Sequence, residues 1–215
     1  MKKTFQAIII TVLIILLSVL MRDFVHRNKQ SDVEAAQAIE PYERPLDMGK
    51  DYATLMAESI AGGDYYSAKK YEFLRERKKE LLGIQDDLTF DNLLLLSKIV
   101  HVEAGSNWLT EEHRQLVASV VINRVNSPEF PDTIYEVIHQ KGQYSTAGTS
   151  YFNNLKPSRI SVLSALRVLS GGSIAPSEVV FQSGFKQGSG VYKAISDSQL
   201  GTTFFCYSNN KNLYK

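Results

Sequence analysis

Residues 93–105 read Leu-Leu-Leu-Leu-Ser-Lys-Ile-Val-His-Val-Glu-Ala-Gly, and this stretch decides the fold. Its apolar residues recur at the three- and four-residue spacing of one helix face, which predicts a helix packed on a core. The same face ends in Glu103. Apolar neighbours disfavour a carboxylate there, and so does the negative end of the helix dipole, by about 0.3–1 kcal/mol. Both effects raise the carboxyl pKa. A raised pKa suits a general acid, so Glu103 is a candidate catalytic acid. A solvated residue at a helix end is the alternative.

The rest of the region from residue 84 to 215 predicts helices first and strands afterwards. Four helices are expected: one from the N-cap Asp91 to Glu103, one from Thr110 to Asn126, one from Ile134 to Gln140, and one from the N-cap Ser158 to the glycine pair 171–172. Strands are expected at 179–182 and 203–207, with a third near 190–193. This order predicts an α+β domain in which helices and a small sheet form separate layers.

The N-terminus predicts a membrane anchor. Residues 4–21 carry no charge, and at about 1.5 Å per residue they span most of a hydrocarbon core of roughly 30 Å. The chain continues Met21-Arg22-Asp23, without the small residues of a signal-peptidase site, so we expect an uncleaved transmembrane helix rather than a signal. The following domain is then expected outside the cytoplasm, and it would be secreted if residues 1–21 were cleaved.

Two further segments separate this anchor from the domain. Residues 22–50 mix charges with Pro41 and Pro45, without a sustained apolar period, and are typical of a tether. Residues 51–83 predict two helices in a hairpin-like spacer, since each begins at an aspartate suited to N-capping and ends at glycine.

Composition excludes several functional classes. The chain has 24 basic and 23 acidic residues, spread evenly, which is not the pattern of a nucleic-acid-binding protein. The single cysteine, Cys206, excludes a disulfide framework and a cysteine-based zinc cluster. His101, Glu103 and His113 lack the spacing of a metal-binding motif. We therefore predict no metal and no cofactor, and the sequence leaves the identity of any protein partner open.

Polar and aromatic residues suited to a sugar groove lie in one glycine-containing loop that begins near residue 143, and another follows in the first predicted strand. Sugars present polar edges and apolar faces, which amides, hydroxyls and aromatic rings can match. The alternative is an ordinary hydrophilic surface loop. The candidate substrate-binding residues are Gln143, Tyr144, Ser145, Tyr151 and Gln182.

Several segments together resemble a known family. They are residues 96–105, LSKIVHVEAG; residues 115–131, QLVASVVINRVNSPEFP; and residues 142–145, GQYS. Over about residues 91–208 the chain resembles the catalytic domain of the SleB/CwlJ type of bacterial cell-wall hydrolases, which include spore cortex-lytic enzymes. The resemblance implies a lysozyme-like α+β fold and cleavage of peptidoglycan glycan strands, typically as a lytic transglycosylase. Glu103 matches the family's catalytic glutamate. His101 stands where the family commonly has tyrosine, and the family's later arginine and glutamate have no counterpart here.

A single acid also fits this chemistry. A glycosidase commonly uses two carboxyl groups, and the other acids after Glu103 are more simply helix caps or surface charges. Asn123 and Arg124 lie inside an apolar helix and are predicted to brace neighbouring backbone. A lytic transglycosylase needs one glutamate as acid and then base. Two alternatives remain open, a non-catalytic wall-binding or assembly protein with the same fold and a hydrolytic muramidase. The substrate can be vegetative wall or spore cortex.

Overall fold

A computed structural model describes residues 46–214. The predicted anchor, residues 1–21, and nearly all of the predicted tether lie outside the described residues. Within residues 46–214, no helix combines the length and the apolar character that crossing a membrane requires.

The chain from residue 47 onward forms one compact unit in which helices precede a small sheet, so the α+β prediction is confirmed. The α-helices are α1 (Tyr52–Gly62), α2 (Tyr65–Leu82), α3 (Phe90–Ala104), α4 (Glu111–Val125), α5 (Ile134–His139), α6 (Ser150–Asn154) and α7 (Arg159–Gly171). The strands are β1 (Val179–Ser183), β2 (Val191–Asp197) and β3 (Gly201–Tyr207), and a short 3-10 helix covers Lys211–Tyr214.

Side-chain caps explain where most helices begin. Asp51, Asp64, Thr110 and Thr133 each accept a hydrogen bond from a backbone N–H two or three residues later, as predicted. The predicted cap Asp91 is wrong, because Thr89 Oγ1 accepts the Asn92 N–H at 3.2 Å. Asp91 then lies in the first turn of α3, where its charge suits the helix dipole.

Helix α3 forms the centre of the core. It packs against α4 and α7, and its residues Leu93, Leu96, Ile99 and Val100 are fully buried. Full burial of one such side chain is worth roughly 1.5–3 kcal/mol. Because the buried stripe fixes the rotation of α3, it also fixes the direction in which Glu103 points.

The first two helices share this core. Helix α1 packs against α2 and α7, and Met56 and Ile60 of α1 are fully buried. Lys78 of α2 donates to the Lys50 carbonyl at 2.9 Å, which holds the start of the described chain against α2. The predicted helices within residues 51–83 are therefore present, and they contact the helices that follow. Their role as a separate spacer stays a prediction.

The sheet has three antiparallel strands in the order β1-β3-β2. Strand β2 extends to Asp197, beyond the predicted residues 190–193. In β1, Val179 pairs with Tyr207 while Phe181 pairs with Cys206, so two steps along β1 match one step along β3. This β-bulge leaves Val180 as the extra residue, and its carbonyl is available to a partner outside the sheet.

Candidate active site around Glu103

Glu103 lies where the last turn of α3 meets β1. Its side chain is partly buried, and the Gln182 Nε2–H donates a hydrogen bond to Glu103 Oε2 at 3.2 Å. The two residues are 79 positions apart in the sequence, so the fold alone brings them together. The prediction that Glu103 is a solvated residue at a frayed helix end does not fit this contact.

Burial controls the protonation of Glu103. Loss of water around the carboxyl raises its pKa above the ordinary value of 4.5, and the nearby positive charge of Arg124 opposes this rise. The environment therefore holds the proton on Glu103 to higher pH than in a solvated glutamate. This is the property that a general acid requires.

Arg124 is a buried cation beside the site. Its Nε–H donates to the bulge carbonyl of Val180 at 2.7 Å, and the residue is 4% exposed. The guanidinium carbon lies 5.1 Å from the Phe130 ring centroid and 5.5 Å from that of Tyr144, within the range of cation–π contacts. Arg124 is thus held rigidly, so its charge acts on Glu103 from a fixed position.

The neighbouring Asn123 ties α4 to the approach to the sheet. Its Nδ2 donates to the Pro176 carbonyl at 2.7 Å and to the Val179 carbonyl at 2.9 Å. The prediction that Asn123 and Arg124 brace neighbouring backbone is confirmed. Arg124 has a further electrostatic role that the sequence pattern did not indicate.

Tyr144 completes the surroundings of the carboxyl group. Its hydroxyl oxygen is buried and has no hydrogen-bond partner within residues 46–214. Burial raises the pKa of Tyr144, the charge of Arg124 lowers it, and the charge of Glu103 raises it. The phenol therefore stays protonated at neutral pH, and its O–H is free to donate to a bound molecule.

The five predicted substrate-binding residues divide into two groups. Gln182 and Tyr144 lie beside Glu103, as their hydrogen bond and their electrostatic coupling indicate. Gln143 and Ser145 flank Tyr144 in the loop between α5 and α6, and Tyr151 is 61% exposed on α6. In the part of the chain that the structure describes, no hydrogen bond joins these three to Glu103, and their role in binding stays a prediction.

His101 holds the end of α3 in place. Its Nδ1 accepts the Ser158 backbone N–H at 3.3 Å and lies 3.2 Å from Ser158 Oγ, at the start of α7. The Gly105 backbone follows so closely that an added Cβ would lie 2.2 Å from the His101 carbonyl oxygen. Only glycine fits at position 105, and this requirement positions the turn that carries Glu103.

The histidines and Glu103 do not converge. The His113 ring is buried with its centroid 5.7 Å from that of Phe205, whereas His101 faces Ser158. Across residues 46–214 the structure contains no group of three or more histidine, cysteine or acidic side chains arranged to hold a metal ion.

Three of the other acids after Glu103 have partners elsewhere. Glu111 forms an ion pair with Arg167, and Glu112 forms one with Lys193. The Glu129 carboxylate accepts hydrogen bonds from three residues near the C-terminus, Ser208, Asn210 and Tyr214. The partners found for Glu103 are instead an amide, a guanidinium and a phenol.

Comparison with known proteins agrees with the sequence resemblance. Residues 110–205 match the family model described as Cell Wall Hydrolase, which confirms the resemblance to the SleB/CwlJ type over that segment. The match begins at the N-cap of α4 and reaches into β3, and Glu103 lies before it. It supports an enzyme that acts on cell-wall peptidoglycan. No curated protein and no solved structure matches the chain.

Proposed function

We propose that this chain, whose residues 110–205 match the Cell Wall Hydrolase family model, cleaves peptidoglycan glycan strands as a lytic transglycosylase with Glu103 as its acid and base. The observation that carries the proposal is the partly buried Glu103 carboxyl, held by the Gln182 amide at 3.2 Å, with a pKa raised by burial. A carboxyl group that keeps its proton to higher pH than a solvated glutamate is suited to assist departure of a glycosidic oxygen.

One glutamate can carry both halves of the reaction. In the first half, protonated Glu103 gives its proton to the glycosidic oxygen while the bond from that oxygen to the sugar C1 breaks. Positive charge develops at C1 and on the ring oxygen. In the second half, the Glu103 carboxylate removes the proton from the 6-hydroxyl of the same sugar, and O6 bonds to C1. The product is a 1,6-anhydro sugar, and Glu103 is protonated again.

The nature of the neighbours favours transglycosylation over hydrolysis. Hydrolytic glycosidases commonly place a second carboxylate about 5–10 Å from the acid, to activate water or to form a covalent adduct. The acids that follow most closely, Glu111 and Glu112, are engaged by Arg167 and Lys193. An intramolecular hydroxyl needs no second carboxylate, because Glu103 serves as its base.

We further propose that the enzyme works outside the cytoplasm, held to the membrane by residues 1–21. The uncharged run 4–21 supports this placement. A flexible tether of residues 22–50 would have an end-to-end distance of roughly 30 Å, which limits the enzyme to the inner wall. The mass and membrane fractionation of the mature protein test this: a soluble extracytoplasmic form lacking residues 1–21 would overturn the anchored placement and leave the chemistry intact.

The chemical proposal is tested on purified sacculi with three forms of the full chain: the native protein, Glu103→Gln and Glu112→Gln. Glu112→Gln is the matched control, since it makes the same change at an exposed acid on α4. We expect the native protein and the control to lower turbidity and release anhydro sugars. Glu103→Gln should be slower by about 100-fold or more, because general acid–base catalysis typically contributes 10²–10⁴-fold.

Fragment masses separate the alternatives. Products with reducing ends, still dependent on Glu103, would identify a hydrolytic muramidase. Sedimentation with sacculi at unchanged turbidity for all three forms would identify a wall-binding protein. Equal release of fragments by the native protein and Glu103→Gln would remove Glu103 from the mechanism.

A further inference from the structure

The side chain of Gln182 is held between the sheet and the candidate acid. Gln182 pairs with Phe205 of β3 within the sheet, two residues after the bulge at Val180. The bulge carbonyl accepts the Arg124 Nε–H at 2.7 Å, and Gln182 donates to Glu103 at 3.2 Å. The same short strand therefore fixes both the cation and the amide that act on the carboxyl group.

The direction of the hydrogen bond distinguishes the two oxygens of Glu103. An amide N–H can only donate, so Oε2 accepts, and the transferable proton is favoured on Oε1, because a carbonyl-type oxygen accepts more strongly than a hydroxyl oxygen. A donor aimed at a carboxyl group also favours the ionised form over the acid. The direct contact with Gln182 is therefore expected to favour the ionised form of Glu103.

The other end of the Gln182 amide lacks a partner. Gln182 Oε1 is buried and accepts no hydrogen bond within the described residues, and the nearby Tyr144 hydroxyl is in the same condition. A buried acceptor left unpaired is costly, so such an atom at a candidate active site indicates a donor supplied by something that binds there.

We propose that Gln182 is the positioning residue of this site: its Nε2–H orients Glu103, and its Oε1 accepts a hydrogen bond from an N–H or O–H of the glycan. Bound glycan then fixes the amide, and the amide in turn fixes the proton-carrying oxygen of Glu103. This inference rests on the proposed role of Glu103 as general acid and base.

The test compares Gln182→Met and Gln182→Glu with the native full chain on solubilised glycan strands, by measuring kcat and KM across pH. Met removes both the donor and the acceptor. In its ionised form Glu keeps the shape and the acceptor but loses the donor. The matched control is Gln115→Met, because Gln115 makes the same kind of amide–carboxylate bond, to Glu111 at 2.8 Å, on the exposed surface.

We expect kcat to fall about 10- to 100-fold in both Gln182 variants, the range for loss of a hydrogen bond to a charged group. The alkaline limb of the kcat/KM profile should move to higher pH in both. In Gln182→Met the Glu103 carboxylate loses its hydrogen-bond donor, and in Gln182→Glu a second carboxylate repels the Glu103 carboxylate. Both changes raise the pKa of Glu103. KM should rise in Gln182→Met and stay near the native value in Gln182→Glu, which retains the acceptor.

An unchanged alkaline limb in both variants would overturn the orienting role, even if the rate fell, since a merely structural defect does not shift it. Equal KM values in Gln182→Met and the native protein would overturn glycan binding by Oε1. These failures are separable from failure of the proposed function. If Glu103→Gln is inactive while the Gln182 variants keep native profiles, this inference alone fails, and if Glu103→Gln remains active, the mechanism itself fails.

Discussion

Glu103 and Glu129 are two glutamates of the same domain with opposite surroundings. Glu103 accepts a hydrogen bond from Gln182, and burial raises its pKa while Arg124 opposes the rise. Removal from water acts in the same direction on Glu129, yet hydrogen bonds from Ser208, Tyr214 and Asn210 lower its pKa overall. The balance between burial and hydrogen-bond donors therefore decides whether a carboxyl group holds its proton or stays ionised.

The two settings lead to different roles. Ionised Glu129 joins the segment after α4 to the C-terminal residues, because its three donors lie at positions 208, 210 and 214. Glu103 is kept short of donors at the cost of an unfavourable buried charge. Acids with a raised pKa, such as Glu103, are typical of functional sites. An acid with several hydrogen-bond donors, such as Glu129, instead stabilises the fold.

Among the changes that test this comparison of the two glutamates, the largest effect is expected from moving the turn that carries Glu103. In Gly105→Ala the new Cβ would lie 2.2 Å from the His101 carbonyl oxygen and 2.8 Å from its Nδ1, so the end of α3 must shift. A displacement near 1 Å can cost about 100-fold in rate, and we expect kcat to fall about 10- to 100-fold. Gly171→Ala is the control, since nothing lies within 4 Å of its added Cβ.

Rate assays on sacculi with both alanine variants check this prediction. Full activity in Gly105→Ala would mean that catalysis tolerates displacement of the end of α3. The claim that the position of Glu103 sets it apart from Glu129 would then fail.

A moderate effect on stability is expected at the other glutamate. Glu129→Gln weakens three hydrogen bonds to a charged group and should lower the free energy of unfolding by about 1 kcal/mol at pH 7, with cleavage unchanged. Because the folded-state pKa of Glu129 is lowered, its contribution is present above the ordinary value of 4.5 and is lost as the pH falls through the folded pKa. Urea unfolding of both proteins across pH checks this. A difference that persists at the lowest pH would contradict it.

The smallest effect is expected for the stability of Glu103→Gln. The folded-state pKa of Glu103 is raised, so the native protein loses stability as the pH rises from about 4.5 through that pKa. Glutamine has no charge to bury and can still accept from Gln182. We therefore expect Glu103→Gln to be more stable than the native protein at neutral pH and equal to it in acid. The same urea unfolding experiment measures this, and a variant less stable at pH 7 would contradict the account.

The sequence predicted those features of the fold and the site that depend on the spacing of neighbouring residues. The apolar period of residues 93–102 located α3 and placed Glu103 at its end, and the caps Thr110 and Thr133 located the starts of α4 and α5. Thr89 and Asp91 are both suited to capping, and only the packed structure selects Thr89. Helix α6 has five residues, too few for a period to be visible.

The surroundings of the two carboxyl groups could not be predicted in the same way. Gln182 is 79 residues from Glu103, and Ser208 is 79 residues from Glu129, so the fold and the bulge in β1 create both settings. The sequence marked Gln182 and Tyr144 as polar candidates, without indicating that they meet Glu103. The fixed charge of Arg124 beside the site likewise depends on its tertiary bond to Val180.

The most direct test is a titration of both carboxyl groups in one sample. Carbon-13 NMR of the full chain labelled at glutamate carboxyl carbons, with Glu103→Gln and Glu129→Gln used for assignment, gives the pKa of each. We predict that Glu103 titrates above the ordinary value of 4.5 and Glu129 below it. A Glu103 pKa at or below 4.5 would contradict the claim that burial prepares this residue to act as the acid.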